Sequence, residues 1–234
     1  MASPAGPAAY RQLRFAPPPG ATQLLLVRHG ESEAAVDGSP FERRDGHGDP
    51  PLSEVGRRQA ARVCGRLASA GISAVYTTTL QRTHQTAEPL LQALGLSALV
   101  EADLREVFLG AWEGGLYRKK VLEGDPVAVE MAAQERFDVI PGAEPAEAFA
   151  ARVGAAVARL AAAHPDQHVA VFTHAGTIGQ VLAQATGSRP FAFVGADNAS
   201  ISQLVVAGDR WILRRFNDTA HLEAVSEMTS EPLT

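Results

Sequence analysis

The chain has 234 residues, 46% of them hydrophobic and 20% charged, which is typical of one large globular domain. A formal net charge of −5 gives no basic field for nucleic acid or an anionic membrane, and no apolar run reaches the roughly 18 residues of a spanning helix. The single cysteine, Cys64, excludes an intramolecular disulfide and a thiol cluster for a metal. We therefore expect a cytoplasmic protein whose partners are neither nucleic acids nor membranes.

Both ends of the chain differ in composition from the middle. Residues 1–21 are rich in Ala, Pro and Gly, and they lack the basic start and apolar block of a signal peptide. Residues 226–234 are polar. We expect a flexible leader over 1–21, one domain over 22–225 and a loose tail over 226–234.

Short apolar runs alternate with segments of helical periodicity in the middle of the chain, which predicts alternating strands and helices. The predicted order is strand 23–28, helix 54–70, strand 72–77, helix 80–94, strand 96–104, helices 127–137 and 146–164, strand 168–173, helix 178–186, and a hairpin of strands 201–207 and 211–216. This alternation favours a three-layer α/β/α sandwich with a mostly parallel central sheet. The final hairpin leaves an edge on which a second copy can pair, so a homodimer is among the expected assemblies.

Two predicted strands end in histidine-containing sequences. His29 and its neighbour Arg28 close the first strand, and His174 follows the strand at 168–173. Arg82 lies in the first turn of the helix after the second strand. Because the carboxyl ends of parallel strands meet at one edge of the sheet, these groups should converge into an anion site. Phosphate is the natural occupant, since guanidinium groups bind its oxygens in pairs.

Each of these residues also has a purely structural interpretation. His29 and His174 can be satisfied core histidines, and Arg82 can be a solvated helix residue paired with Glu88. No metal site is predicted, because Pro165 breaks any helix between His164 and His168. Three further histidines and the cysteine are expected to be structural: His47, His84, His221 and Cys64. Of these, His221 can still border the pocket.

The chain resembles the histidine phosphatase superfamily, the phosphoglycerate mutase-like proteins. The matching segments are LLLVRHGES at 24–32, PLSEVGRRQA at 51–60, TTTLQRTHQTAEPL at 77–90, LREVFLGAWEG at 104–114, VAVFTHAGTI at 169–178 and NDTAHL at 217–222. The resemblance implies that His29 becomes phosphorylated and that Arg28, Arg82 and His174 complete the phosphate pocket. It also implies that Glu106 is the proton donor, with Glu113 in the same stretch as the rival acid.

The chemistry of these groups agrees with those roles. Histidine attacks phosphorus only with an unprotonated nitrogen, and neighbouring arginines favour the neutral ring. Arg28, Arg82 and a protonated His174 can stabilise the charge on the transferring phosphoryl group. Glu106 can protonate the leaving alkoxide and then activate water. We expect no metal and no cofactor.

Two departures from the mutases of this family favour hydrolysis. The segment between Glu106 and His174 is short, with only residues 118–120 (Arg, Lys, Lys) placed to read a second negative group, and residues 34–35 are Ala-Ala where the mutases usually have Asn. We therefore expect a phosphatase for a small phosphomonoester. The alternatives are a phosphoglycerate mutase, a non-catalytic anion-binding member, and an enzyme repurposed for a non-phosphate anion.

The substrate itself is not readable from the pattern. Its specificity should come from residues 33–50 and 110–145, and the loop 33–50 can be a lid or simply a solvated loop. Trp112 can stack on a substrate or pack in the core. The candidate substrate-binding residues are Ser32, Arg118, Thr177 and His221.

Overall fold

The computed structural model describes residues 10–222 of the chain. The predicted tail at 226–234 and the first nine residues of the predicted leader lie outside the described residues. The elements are β1 (Thr22–Arg28), β2 (Arg43–Arg44), β3 (His47–Gly48), α1 (Glu54–Leu67), β4 (Ile72–Thr77), α2 (Gln81–Leu94), β5 (Leu99–Val100), α3 (Leu116–Leu122), α4 (Pro126–Gln134), α5 (Ala146–Ala163), β6 (His168–Thr173), α6 (Ala175–Thr186), β7 (Ile201–Ala207) and β8 (Arg210–Asp218). Within 10–222, no helix has the length and apolar character needed to cross a bilayer.

The central sheet has six strands in the order β5-β4-β6-β1-β7-β8. Strands β1, β4, β5 and β6 run parallel, and the hairpin β7–β8 adds two antiparallel strands at one side. The predicted, mostly parallel α/β sheet is thus confirmed. Strand β8 is an edge strand, as the homodimer expectation requires, and the homodimer itself stays a prediction.

Helices cover both faces of the sheet because the buried strands alternate their side chains. Leu24 and Leu26 of β1 face a cluster built with α5 and α6. Val27 of β1 and Phe172 of β6 face the opposite cluster, built with α1 and α2. The expected three-layer sandwich follows from this alternation. Cys64 packs partly buried against the second cluster, as its position in an apolar stripe predicts.

A smaller helical subdomain lies outside these layers. Helices α3 and α4 and the segment 137–140 enclose their own core around Trp112, Met131 and Ile140. The sequence gives no helix prediction for α3, which is only seven residues long. The hairpin β2–β3 in the loop 33–50, whose strands have two residues each, was also not predicted.

The predicted strand at 96–104 is largely wrong. Only Leu99–Val100 pairs with the sheet, and both residues are exposed at its edge. The chain then turns into a 3₁₀ helix at Ala102–Leu104, because the Glu101 side chain accepts the N–H of Asp103 and caps that turn. A short edge strand of this kind limits pairing with other chains.

Three helix boundaries also differ from the predictions. Helix α1 ends at Leu67, three residues before the predicted end. Helix α4 ends at Gln134, before the predicted 137, because Glu135 adopts a left-handed backbone with φ of 54°. Helix α6 begins at Ala175, three residues before the predicted start, because a carboxylate described below accepts its first free N–H groups.

The later part of the predicted leader lies against the domain. The guanidinium carbon of Arg214 lies 3.8 Å from the centre of the Phe15 ring. The backbone N–H of Gly20 donates to Asp166, and Ala21 is buried. Residues 10–14, in contrast, are exposed.

Candidate active site

His29 and His174 are brought together by two adjacent parallel strands. Arg28 at the end of β1 pairs in register with Thr173 at the end of β6, so the residue after each lies at the same level. The backbone N–H of His29 donates to the Thr173 carbonyl at 2.9 Å. The ring centroids of His29 and His174 lie 5.2 Å apart with an interplanar angle of 61°.

The His29 ring is fixed in one tautomer. Its Nδ1 lies 2.7 Å from the carbonyl oxygen of Gly30, which can only accept, so Nδ1 carries the proton and Nε2 has the lone pair. Burial lowers the pKa of His29 well below its usual range, and the positive charges of Arg82 and Arg28 lower it further. The free site therefore holds His29 as a neutral imidazole with an unprotonated Nε2.

His174 is fully buried beside His29. Its Nε2 lies 3.1 Å from the hydroxyl of Thr78, and its Nδ1 has no hydrogen-bond partner within residues 10–222. Burial, followed by the charges of Arg82 and His29, lowers the pKa of His174 well below its usual range. In the free site this favours a neutral His174, and its protonation during phosphoryl transfer stays a prediction. A phosphate dianion beside the ring would raise that pKa, because its negative charge favours the protonated imidazole.

Arg82 reaches the site from the first turn of α2. It is 8% exposed, its Nη1 donates to the Gly48 carbonyl at 3.1 Å, and it lies 3.7 Å from Asp49. The interpretation of Arg82 as a solvated residue paired with Glu88 is thus wrong. Burial lowers the pKa of Arg82 to about 10, so the guanidinium stays charged at neutral pH. Asp49 was not predicted, because nothing in the loop pattern distinguishes it from its acidic neighbours.

Glu106 lies at the amino end of α6, next to the turn that carries His174. Its carboxylate accepts the backbone N–H groups of Val107, Gly176 and Thr177 at 3.0, 3.1 and 3.1 Å. A Cβ on Gly176 would lie 2.5 Å from a carboxylate oxygen of Glu106, so only glycine leaves room for this contact. Among the carboxylates that raise the pKa of Arg82, Glu106 has the largest effect.

Glu113, the rival acid, ties two loops together. One carboxylate oxygen accepts the N–H of Gly48 at 2.6 Å, and the other accepts the N–H of Leu109 at 2.9 Å. These bonds join the loop 33–50 to the segment that follows Glu106. Glu113 raises the pKa of Arg82 less than Glu106 does. Glu113 is thus a brace between these two segments, and the choice of Glu106 over Glu113 as the acid stays a prediction.

Arg152 of α5 holds the segment that presents Glu106. Its guanidinium donates to three carbonyls of the segment 103–106 at 2.6 to 3.0 Å and pairs with Glu144 at 2.7 Å. Glu144 in turn accepts the N–H of Phe108. Arg152 was not predicted as part of the site, because no local sequence signal marks it.

A cavity of about 380 Å³ opens beside these groups. Arg28, His29, Arg82 and Glu106 line one end of it, whereas the buried His174 is not part of its wall. The loop 33–50 forms part of the wall through its residues 41, 47, 48 and 50. The His47 ring spans from the Asp45 carbonyl to that of Glu106, so it ties this loop to the acid. Whether the loop also acts as a lid stays a prediction.

Of the four predicted substrate-binding residues, only Arg118 lines the cavity. Ser32 accepts a hydrogen bond from Arg118 at 2.7 Å, and Thr177 donates to the Arg105 carbonyl. His221 does not border the cavity, because the chain after β8 turns toward the face where Leu222 is buried. The Nε2 of His221 donates to the carbonyl of Ala199 instead.

The neighbours of Arg118 also differ from expectation. Lys119 pairs with Asp37 at 2.8 Å and Lys120 with Asp125 at 2.7 Å, and neither is part of the cavity wall. Trp112 is 5% exposed, so it belongs to the core of the helical subdomain while its ring still lines the cavity. The two interpretations offered for Trp112 are therefore compatible.

The other predicted structural histidines have partners in the backbone or among neighbouring side chains. His164 contacts the hydroxyl of Tyr76 at 2.9 Å and the side-chain oxygen of Gln167. The Nδ1 of His168 donates to the Ala70 carbonyl at 2.7 Å. His84 contacts the hydroxyl of Thr77. Each of these contacts fits the structural interpretation.

The comparisons with known proteins agree with this arrangement. The model of the histidine phosphatase superfamily (branch 1) matches residues 24–219. Phosphoglycerate mutase-like protein 4 of Arabidopsis thaliana is 31% identical over 213 residues, which cover 89% of this chain and 90% of that protein. Phosphoserine phosphatase 1 of Hydrogenobacter thermophilus is 30% identical over 204 residues, covering 86% and 94%.

A solved structure gives the same result. The native structure of a mycobacterial glucosyl-3-phosphoglycerate phosphatase, 28% identical, superposes with a TM-score of 0.69 over 85% of this chain and 100% of that one. Some relatives are longer: the chain spans 49% of a bifunctional protein of Mycobacterium tuberculosis to which it is 36% identical over 184 residues. The chain belongs to the histidine phosphatase superfamily, and it is a phosphoric monoester hydrolase of that type.

Proposed function

We propose that the chain hydrolyses a small phosphomonoester through a phosphohistidine at His29, without a metal ion. The observation that carries this proposal is the fixed tautomer of His29. Its Nδ1–H is held by the Gly30 carbonyl, so the unprotonated Nε2 remains for attack at the end of the cavity lined by Arg28 and Arg82.

In the first step, the lone pair of His29 Nε2 attacks phosphorus. The bond between phosphorus and the substrate oxygen breaks, and the departing oxygen takes a proton from the carboxyl group of Glu106. Charge spreads over the three other phosphoryl oxygens, where Arg28 and Arg82 stabilise it. His174 contributes a donor from Nδ1, the ring nitrogen that has no partner in the described part of the chain.

In the second step, the Glu106 carboxylate removes a proton from water. The water oxygen attacks phosphorus, the P–N bond breaks, and its electron pair returns to Nε2 of His29. Inorganic phosphate leaves, and Glu106 is again protonated for the next cycle. The backbone N–H groups around Glu106 keep its carboxylate in one place through both steps.

The relatives named as phosphatases support hydrolysis, whereas other relatives are named as mutase-like or as probable phosphoglycerate mutases. The cavity wall supports hydrolysis too. Of the basic stretch 118–120 only Arg118 lines it, so within residues 10–222 the wall has no further cluster of cations to hold a phosphoglycerate carboxylate for rebinding.

The test is phosphate release from p-nitrophenyl phosphate by the purified chain in the presence of a metal chelator. We expect turnover that vanadate inhibits and that His29→Ala lowers by about three or more powers of ten, while the variant still binds inorganic phosphate. Conversion of 3-phosphoglycerate to 2-phosphoglycerate without net phosphate release would instead identify a mutase. No release from any phosphoester would contradict the proposal.

A further inference from the structure

The cavity changes character away from His29. Beyond the arginines, most of the large side chains in its wall are aromatic or aliphatic, and they come from the loop 33–50, the helical subdomain and the segment before β7. These are Phe41, Leu109, Trp112, Tyr117, Val121, Leu122, Phe137 and Val194. At about 380 Å³, the cavity has room for an organic group as well as a phosphate.

The positive charges lie at one end of this cavity. Arg28, Arg82 and Arg118 line the cavity together with His29, and the guanidinium carbon of Arg118 lies 5.4 Å from the centre of the Phe41 ring, where the charged end meets the apolar wall. Arg118 is held there by the Ser32 hydroxyl and the Glu33 carbonyl. Among residues 10–222, no lysine or further arginine lines the rest of the wall.

The other polar groups of the wall are already engaged. Both carboxylate oxygens of Glu113 accept backbone N–H groups. Asp197 accepts from the Asn217 amide at 2.7 Å, and both ring nitrogens of His47 contact backbone carbonyls. A second anionic group on the substrate that lies beyond Arg118 would therefore be desolvated against this wall, where residues 10–222 supply no further lysine or arginine to pair with it.

From these observations we infer that the alcohol part of the substrate is uncharged and apolar or aromatic. This inference rests on the proposed function and names the substrate class of the same site. Alkyl and aryl phosphates are its substrates, and phosphoesters with a carboxylate, such as phosphoserine and 3-phosphoglycerate, are poor ones. Because the aromatic wall supplies apolar contact and the arginines lie toward the phosphate end, binding energy for the alcohol part comes from burying the carbon skeleton.

A series of straight-chain alkyl phosphates tests the inference, because the departing alcohols have nearly equal acidity. We expect kcat/KM to rise by about two- to fourfold for each added methylene from ethyl to hexyl phosphate, as burial of one methylene predicts. We also expect hexyl phosphate to exceed 3-phosphoglycerate by about 100-fold or more, in line with the cost of an unpaired buried charge.

A pair of lysine substitutions tests the wall directly. Leu122 is 74% exposed at the cavity rim, so Leu122→Lys adds a cation there with little risk to folding. We expect it to raise kcat/KM for 3-phosphoglycerate relative to butyl phosphate by about fivefold, from the attraction between nearby charges in water. Val129→Lys is the matched control, since Val129 is 61% exposed on α4 and does not line the cavity.

The outcomes separate the two proposals. Phosphate release that is independent of chain length, or faster from 3-phosphoglycerate or phosphoserine than from hexyl phosphate, overturns the inference and leaves the phosphatase proposal standing. The inference is also overturned if Leu122→Lys and Val129→Lys change kcat/KM for 3-phosphoglycerate relative to butyl phosphate by the same factor. No release from any ester, p-nitrophenyl phosphate included, overturns the phosphatase proposal and this inference with it.

Discussion

The rings of His29 and His174 stand 5.2 Å apart at the ends of two adjacent strands, and both are buried. Burial, followed by the charge of Arg82, lowers the pKa of each ring, Arg28 lowers both further, and His29 also lowers the pKa of His174. The native state therefore keeps both imidazoles neutral at a pH where free histidine begins to ionise. This neutrality makes His29 a nucleophile, and it also has a consequence for stability.

We expect the free energy of unfolding to fall as the pH drops below about 6.5. Between the ordinary histidine pKa and the lowered native pKa, the unfolded chain binds protons that the native state does not. Each such histidine should contribute about 1.4 kcal/mol of lost stability per pH unit in this window. Urea denaturation of the full chain at several pH values measures this slope.

The control is His174→Gln, which removes one of the two titrating rings. It should reduce the slope by about 1.4 kcal/mol per pH unit, while the contributions of the carboxylates stay the same. A slope that His174→Gln leaves unchanged would show that His174 is not held neutral in the native state.

Replacement of Glu106 by Gln should lower kcat for alkyl phosphates by about two to four powers of ten, because the departing alkoxide then lacks a proton donor. The loss should be smaller with p-nitrophenyl phosphate, whose nitrophenolate leaves without a proton. Steady-state kinetics on both esters measures the difference.

Glu113→Gln is the matched comparison for Glu106→Gln. It should keep kcat within a few-fold and lower the melting temperature, since one of the two N–H groups at Gly48 and Leu109 then faces an amide NH₂. If Glu113→Gln slowed alkyl phosphates far more than p-nitrophenyl phosphate and Glu106→Gln did not, the acid would be Glu113.

Arg152→Lys should lower kcat by about tenfold with little change in KM, because one ammonium group cannot replace the fork that holds the segment 103–106. Arg159→Lys on the same helix is the control, since Arg159 pairs with Glu101 and Asp103 while half exposed. The decisive readout is the double variant: in a Glu106→Gln background, Arg152→Lys should have no further effect on kcat. Additive losses would mean that Arg152 acts independently of Glu106.

The parallel sheet and its two histidines were predictable because they depend on strong local signals. The apolar runs 24–27 and 169–172 are each followed two residues later by a histidine, so the fold places both rings at one edge. The same reasoning fails at 96–104. This segment also begins with apolar residues, but the side chain of Glu101 caps a 3₁₀ turn that ends the strand. A side-chain cap at that point leaves no trace in the periodicity.

The rest of the site was not predictable because long-range contacts decide it. The roles of Asp49 and Arg152 depend on which backbone groups come within 3 to 4 Å of them after folding. His221 was placed near the pocket from its distance to β8 in sequence, but the turn after that strand sends it to another face. The apolar wall comes from three separate segments, and the apolar residues of each segment are also typical of an ordinary hydrophobic core.

The most direct test of the account is detection of phosphate bound to His29. The chain is mixed with substrate, quenched within milliseconds under alkaline conditions that preserve phosphohistidine, and examined by intact-protein and peptide mass spectrometry. We predict an adduct of one phosphoryl group on the peptide that contains His29, increased in Glu106→Gln with p-nitrophenyl phosphate, because water attack is then slowed more than attack by histidine. Confirmed hydrolysis without this adduct, or an adduct on another residue, would contradict the account.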